Sequence, residues 1–374
     1  MMHRTPSLLA LAVVAVLGTG GCQAVTAAPK AGALFVAGAH QARVYDATTL
    51  ESGGALKPAA AIVAAAFDRQ RDQVAVIAGD GGDEFWSLAA PGGNPLYRLR
   101  LGLSVTSSSG LLLDAADRYA YAVGTAAGRG KLVAIDLANH RLAGAAMVGA
   151  EPCAVAANSA GTRLVIANHG DRTATLLDSK TLRLLQTLPL NFAPRQVATL
   201  PFGDQAYLLG DNSVAVYDMA REAIITYLPV GPSAQALMVK PDGGEVYVSN
   251  AAGTVSAIDT STNEVTATMP AGLGAGPMAI APDGSALYVG NARANTISVV
   301  SLDTRALLAM VRVGEQPTRL ALGNNGAYLF VADTTSNDLA VVRTARDPNN
   351  PNTLVALLPA PAAPSLLVPL PGGP

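Results

Sequence analysis

The chain has 374 residues, with 25 Lys and Arg against 27 Asp and Glu, a net charge of −2, and half of its residues are hydrophobic while only 14% are charged. A slightly acidic chain without a basic run offers no electrostatic footprint for nucleic acid. Beyond residue 22 no stretch approaches the roughly 18 uninterrupted apolar residues that a membrane-crossing helix needs, and 37 glycines and 24 prolines suit many short strands joined by tight turns.

The first element is a targeting segment. Arg4 precedes an apolar run from Leu8 to Leu17, and Gly18-Thr19-Gly20-Gly21-Cys22 follows; a positive start, a short apolar middle and small residues make a secretory signal. The small residues before Cys22 resemble a bacterial lipobox, with Thr19 standing where that motif usually has Leu. Residues 1–21 are expected to be a lipoprotein-type signal peptide, Cys22 the lipidated residue, and 22–33 a linker. Ordinary cleavage after Val25-Thr26-Ala27 is the alternative. In the lipoprotein class, a residue such as Gln23 after the cysteine implies sorting to the outer membrane, so the protein is expected to be exported, periplasmic and anchored there through its lipid. Cys153 is then the single remaining thiol, which rules out an internal disulfide; on a predicted inner strand it reads as buried and inert.

From Leu34 to the end one pattern repeats about every 42 residues. Its second strand is legible at Leu34-Phe35-Val36-Ala37, Val74-Ala75-Val76-Ile77, Tyr119-Ala120-Tyr121-Ala122-Val123, Leu164-Val165-Ile166-Ala167, Ala206-Tyr207-Leu208-Leu209, Val246-Tyr247-Val248-Ser249, Leu287-Tyr288-Val289-Gly290 and Leu329-Phe330-Val331-Ala332. The third strand ends at Asp46, Ser87, Asp136, Asp178, Asp218, Asp259, Ser301 and Arg343. Only the second unit is stretched, and insertions around Gly79 to Asp83 and Pro91 to Pro95 are the expected cause. A period of this length filled with strand-sized pieces and no helix-sized ones predicts an all-β fold, a β-propeller of four-stranded antiparallel blades occupying 34–374 as a single domain.

No inner strand precedes Leu34, but Pro364-Ser365-Leu366-Leu367-Val368-Pro369 has the spacing of Pro317-Thr318-Arg319-Leu320-Ala321-Leu322. The C-terminal strand is therefore expected to complete the first blade and close the ring, which removes two open sheet edges. That gives eight blades. A seven-bladed ring with both ends as trimmings is the alternative.

Val246-Tyr247-Val248-Ser249-Asn250, Thr254-Val255-Ser256-Ala257-Ile258-Asp259-Thr260 and Ala279-Ile280-Ala281-Pro282-Asp283-Gly284 resemble the repeat of YVTN-type β-propeller proteins. The resemblance is strong from about Arg163 to Arg343 and faint before Ala120, where Trp86-Ser87 replaces the Ile-Asp pair. It implies an exported, often lipid-anchored or surface protein, and it implies little about activity.

Because successive strands reverse direction, the turns sort onto two faces. Pro241-Asp242-Gly243 and Asp259-Thr260-Ser261-Thr262-Asn263 have turn chemistry and are expected to serve the fold. The opposite loop face carries residues that depart from the repeat: His40, Asp80, His169 with Asp171 and Arg172, Arg195, Asp211, Asn250, Asn291, Arg319 and Asp333. That face is the expected binding surface, for a protein or small ligand not named by the sequence. His40, His140 and His169 are too far apart in the repeat to share an ion, so no metal site is expected. There is no haem-attachment motif and no nucleophile elbow, and Gly272-Leu273-Gly274-Ala275-Gly276 joins two strands without opening a helix. No catalytic residue and no cofactor is assigned. The expected function is a monomeric, lipid-anchored, non-catalytic binding scaffold. The alternative, from a looser resemblance to other propellers, is a lactonase-type hydrolase with His169, Arg195 and Asp211 at the channel mouth.

Overall fold

The protein is described here from a computed structural model over residues 32–38, 41–53, 61–79, 81–89, 95–323, 326–344 and 351–370. Cys22, His40 and Asp80 lie outside these residues. The strands form eight antiparallel sheets, seven with four strands and one with three. Each sheet is a blade, numbered here from the N-terminus. Blade 2 runs over Ile62–Asp68, Gln73–Ala78, Glu84–Ala89 and Pro95–Arg100, and blade 3 over Leu111–Leu113, Tyr119–Ala126, Arg129–Asp136 and Arg141–Met147. Blade 4 comprises Pro152–Ala157, Arg163–Asn168, Thr173–Asp178 and Leu184–Pro189, and blade 5 comprises Gln196–Thr199, Gln205–Leu209, Ser213–Asp218 and Ala223–Pro229. Blades 6, 7 and 8 follow with inner strands Ala234–Val239, Ala275–Ile280 and Pro317–Leu322.

Blade 1 is shared between the chain ends. Ala33–Gly38 pairs on one side with Gln41–Asp46 and on the other with Leu366–Leu370, in the register Leu34↔Pro369, Phe35↔Val368 and Val36↔Leu367. The outer position of this blade is begun by a single bridge between Tyr45 and Ser52. Each inner strand neighbours the next in chain order; Leu366–Leu370 lies between the inner strands of blades 8 and 2 and so completes the circle. The ring has eight blades, closed by the C-terminal strand as the spacing predicts.

Burial follows from this packing. A blade stacks both faces of its middle strands on its neighbours, so a second strand such as Arg163–Asn168 is buried at every residue after the first. Outer strands face solvent on one side and alternate, as in Glu264–Pro270. Side chains also stitch blade to blade. Tyr121 Oη donates to Ser179 O (3.3 Å), Tyr207 Oη to Asn263 Oδ1 (2.9 Å), and Arg305 donates to Tyr247 Oη (3.1 Å) while pairing with Glu245. In each case the second strand of one blade reaches the outer turn of the next.

Those turns are built on the repeated aspartates. Asp46, Asp136, Asp178, Asp218 and Asp259 accept from backbone amides two or three residues on; Ser261 N, for example, donates to Asp259 Oδ1 (2.8 Å). The chain then turns through a left-handed residue at Leu50, His140, Leu182, Glu222 and Asn263. The hydroxyl of Ser261, followed by the amides of Thr262 and Ser261, holds the Asp259 carboxyl below its usual range.

One expectation needs correcting. The extra length near blade 2 lies chiefly in residues 101–110, which connect Arg100 to the short inner strand of blade 3. Leu101, Leu103 and Val105 are buried there, Ser104 and Thr125 exchange backbone hydrogen bonds, and Val155 N donates to Ser109 O (3.0 Å). The segment is tucked into the body because its alternate residues are apolar.

Candidate functional site

The loop face starts where each second strand ends. Asn168, Asn250, Asn291 and Asp333 occupy that position in blades 4, 6, 7 and 8, and all four are almost fully buried. Asn291 Oδ1 accepts from Gly272 N (3.0 Å), while its Nδ2 donates to Thr296 Oγ1 (3.0 Å) and Ser298 Oγ (2.9 Å). Asn168 Nδ2 donates to Thr173 and Thr175 hydroxyls, both at 2.9 Å, and Gly314 N donates to Asp333 Oδ2 (3.0 Å). Each side chain rests on a loop glycine: a Cβ at Gly149 or Gly272 would lie 2.6 Å from the amide of Asn168 or Asn291. Asn291 and Asp333 thus fasten the incoming loop to the blade, Asn250 bonds only to Thr254 within its own blade, and none of the three side chains reaches the surface.

The exposed candidates gather between blades 4 and 5. His169, Asp171 and Arg172 form the turn after Asn168, with Arg172 in the left-handed region at φ 56°. Arg195 enters the inner strand of blade 5, its backbone N donating to Leu209 O (2.8 Å), and its guanidinium pairs with Asp211 on the neighbouring turn. These side chains are 46% and 66% exposed, so the pair contributes little to stability. His169 Nδ1 lies 3.1 Å from Pro194 O. A carbonyl only accepts, so Nδ1 is the donor in this contact. The Cys153 thiol donates toward the same carbonyl at 3.3 Å, and burial pushes it up to about 11, which leaves it protonated and unreactive at neutral pH. Asp171 is used locally, accepting from Ala150 N (2.9 Å) and the Thr173 hydroxyl (2.7 Å).

The structure therefore brings His169, Arg195 and Asp211 together, with Cys153 beneath them, while Arg172 stands exposed on the same turn as His169. Arg319 and Asp333 belong to blade 8, on the far side of the ring. Arg319 donates to Thr318 O (2.7 Å), and burial pushes its guanidinium down to about 10. Among the described residues no three His, Cys, Asp or Glu side chains converge as metal ligands, and no helix is long and apolar enough to cross a membrane. A hollow of about 380 Å³ lies on the opposite face, bordered by Leu200, Phe202, Asp204, Asp218, Arg221 and Thr260. Sequence reasoning passed over it because Pro201-Phe202-Gly203 fills the place of a Pro-Asp-Gly turn. Phe202, 60% exposed, is the signal that sets it apart.

The family profile described as "Lactonase, 7-bladed beta-propeller" matches residues 185–366, just under half of the chain. Among solved structures, Kuenenia stuttgartiensis hydrazine synthase is similar at a TM-score of 0.59 with 16% identity, over 76% of this chain and 96% of that one. A functionally unknown protein from Desulfotomaculum acetoxidans is similar at 0.58 with 13% identity, over 76% and 95% of the two chains. The Myceliophteria thermophila Cps50 (Swd1) β-propeller domain is similar at 0.55 with 14% identity, over 70% and 89%. At these identities the likeness is one of fold. No curated protein matches the chain.

Proposed function

We propose that the protein is an exported, lipid-anchored, non-catalytic binding scaffold of the YVTN type, monomeric, with its recognition surface on the loop face at blades 4 and 5. The observation that carries this reading is the contrast within that face. Asn250, Asn291 and Asp333 are consumed by the blade, whereas Arg172, Arg195 and Asp211 project from turns that differ from blade to blade. Loops on a rigid support are free to vary and so to specify a partner. The lipid at Cys22 would hold the disc at the outer membrane, in the periplasm or at the cell surface, with this face available to a protein or small ligand.

A second reading, a lactonase-type hydrolase, is favoured by the family match over residues 185–366 and by the contact of His169 Nδ1 with Pro194 O, which leaves Nε2 as the ring nitrogen free to act. Its Nε2 could take a proton from a water attacking a lactone carbonyl, with Arg195 facing the oxyanion. One set of variants separates the readings. Arg172→Glu with Arg195→Glu should abolish capture of membrane proteins while Asp242→Lys with Asp283→Lys leaves it intact, and neither set nor His169→Ala should change an already negligible turnover of a lactone panel. Turnover by the wild type that His169→Ala removes would establish the hydrolase instead. Loss of capture in the Asp242/Asp283 set alone, with both sets folded, would place recognition on the other face.

A further inference from the structure

In blades 4, 6 and 7 the asparagine that ends the second strand faces a threonine on the third: Asn168↔Thr173, Asn250↔Thr254 and Asn291↔Thr296. In each pair the amide donates to the hydroxyl, at 2.9, 3.5 and 3.0 Å. Blade 8 puts carboxyl groups at both positions, Asp333↔Asp338. Asp333 is fully buried; Gly314 N serves its Oδ2, while Oδ1 of Asp333 and Oδ1 of Asp338 are shut off from water without a partner. Two carboxylates have no hydrogen to offer each other, and placing both charges there carries a repulsion that burial amplifies.

The pair stands at the foot of a turn with a particular task. Between the two aspartates, Thr334 Oγ1 donates to Pro364 O (3.0 Å), and Asn337 accepts from Ala360 N (3.2 Å, at its carbonyl) and from Ala363 N (2.6 Å, at Oδ1). These bonds fasten the segment that delivers the closing strand Leu366–Leu370 to blade 1. The other ionisable groups on the packed elements are Glu315, exposed on the loop above, Arg319 on the inner strand, Tyr328 and Arg343, which pair at the opposite end of the middle strands, and Arg43 of blade 1, which donates to the carbonyl of Pro359 (3.5 Å), the residue facing Asp338; the 360–365 segment has none, and blade 7 meets this loop through uncharged Asn295, whose Oδ1 accepts from Gln316 N (3.0 Å).

We propose that Asp333 and Asp338 share one proton, forming an acid–carboxylate hydrogen bond that clasps the ring's closing seam, and that loss of this proton in mildly alkaline solution loosens the seam. Burial first, then the facing Asp338, raises Asp333 to about 8, with the Gly314 amide working the other way. The folded chain thus keeps a proton that the unfolded chain releases near the ordinary carboxylate value. Between those two values the native state binds more protons, so stability falls as pH rises through this window and levels off above it.

The test is hydrogen exchange at the amides of Leu366–Leu370 in the full chain, corrected for intrinsic rates, at pH 6.5 and 9. Wild-type protection should drop by about tenfold, equivalent to about 1.4 kcal/mol. Asp333→Asn, whose amide can donate to Asp338 without any proton, should flatten the pH dependence, as should Asp338→Asn. If one variant does not fold, the other decides. A drop of the same size in a folded variant overturns the proposal. So does restoration of wild-type protection at pH 9 by millimolar calcium, which would mean that the two carboxylates hold a cation.

Discussion

Gly272 and Gly276 lie on the same approach to blade 7, yet the structure treats them differently. A Cβ at Gly272 would sit 2.6 Å from the Asn291 amide, whereas at Gly276 the nearest heavy atom is 3.7 Å away. Gly272→Ala is expected to destabilise by about 1–3 kcal/mol through overpacking, and Gly276→Ala to be neutral or to stabilise by about 0.4–1 kcal/mol through the unfolded chain. Urea midpoints of the two variants would check this; equal midpoints would contradict the seating of Asn291 on its glycine. The pairing was open to a sequence reading. Gly149 precedes Asn168 by the same interval at which Gly231, Gly272 and Gly314 precede Asn250, Asn291 and Asp333, and a residue that recurs in register with its own glycine is one that the blade uses. The closeness of His169, Arg195 and Cys153 around the Pro194 carbonyl was not legible, because it depends on how two blades meet. Asp338 could have been found by aligning the repeats, since it stands where blades 4, 6 and 7 have threonine.

At the scale of the strand, the closing element was readable because its prolines and glycines repeat the spacing of the inner strand of blade 8. Leu366, Leu367, Val368 and Leu370 are all buried. With about 2 kcal/mol for each fully buried side chain of this kind, offset in part by chain entropy, deleting 364–374 should cost several kcal/mol and lower the melting temperature markedly. An unchanged melting temperature would show that blade 1 holds without its inner strand. The connection at 101–110 was misplaced for a related reason. Leu101, Leu103 and Val105 alternate with smaller or polar residues, and such a pattern does not tell a tucked segment from a short strand.

For the whole ring, contacts such as Phe35 with Val368 join the two ends of the chain, and the seam differs in kind from the other seven. Elsewhere one blade meets the next through side chains and single backbone bonds such as Ala234 N to Asp211 O (2.8 Å); at blade 1 the closure is made by a backbone ladder. A circular permutant joining residue 374 to residue 32 through a short Gly/Ser linker, with new ends at Gly231 and Pro232, would keep every strand pair and move the opening to a seam that has packing and scattered hydrogen bonds but no strand ladder. We expect an unchanged far-UV spectrum and unfolding in guanidinium several-fold faster than wild type. Equal rates would show that the ladder does not govern how the ring opens.

Ala33, the first residue of the first strand, is paired with Asp46 on one side and Leu370 on the other. Tension arriving along a tether would therefore pull on a strand gripped from both flanks, loading two ladders lengthwise instead of peeling either from its end. Bonds loaded together resist together and fail together. A disc held in this way would behave as a buckle, and the strand that a tether would drag is the same one on which the closure of the ring depends.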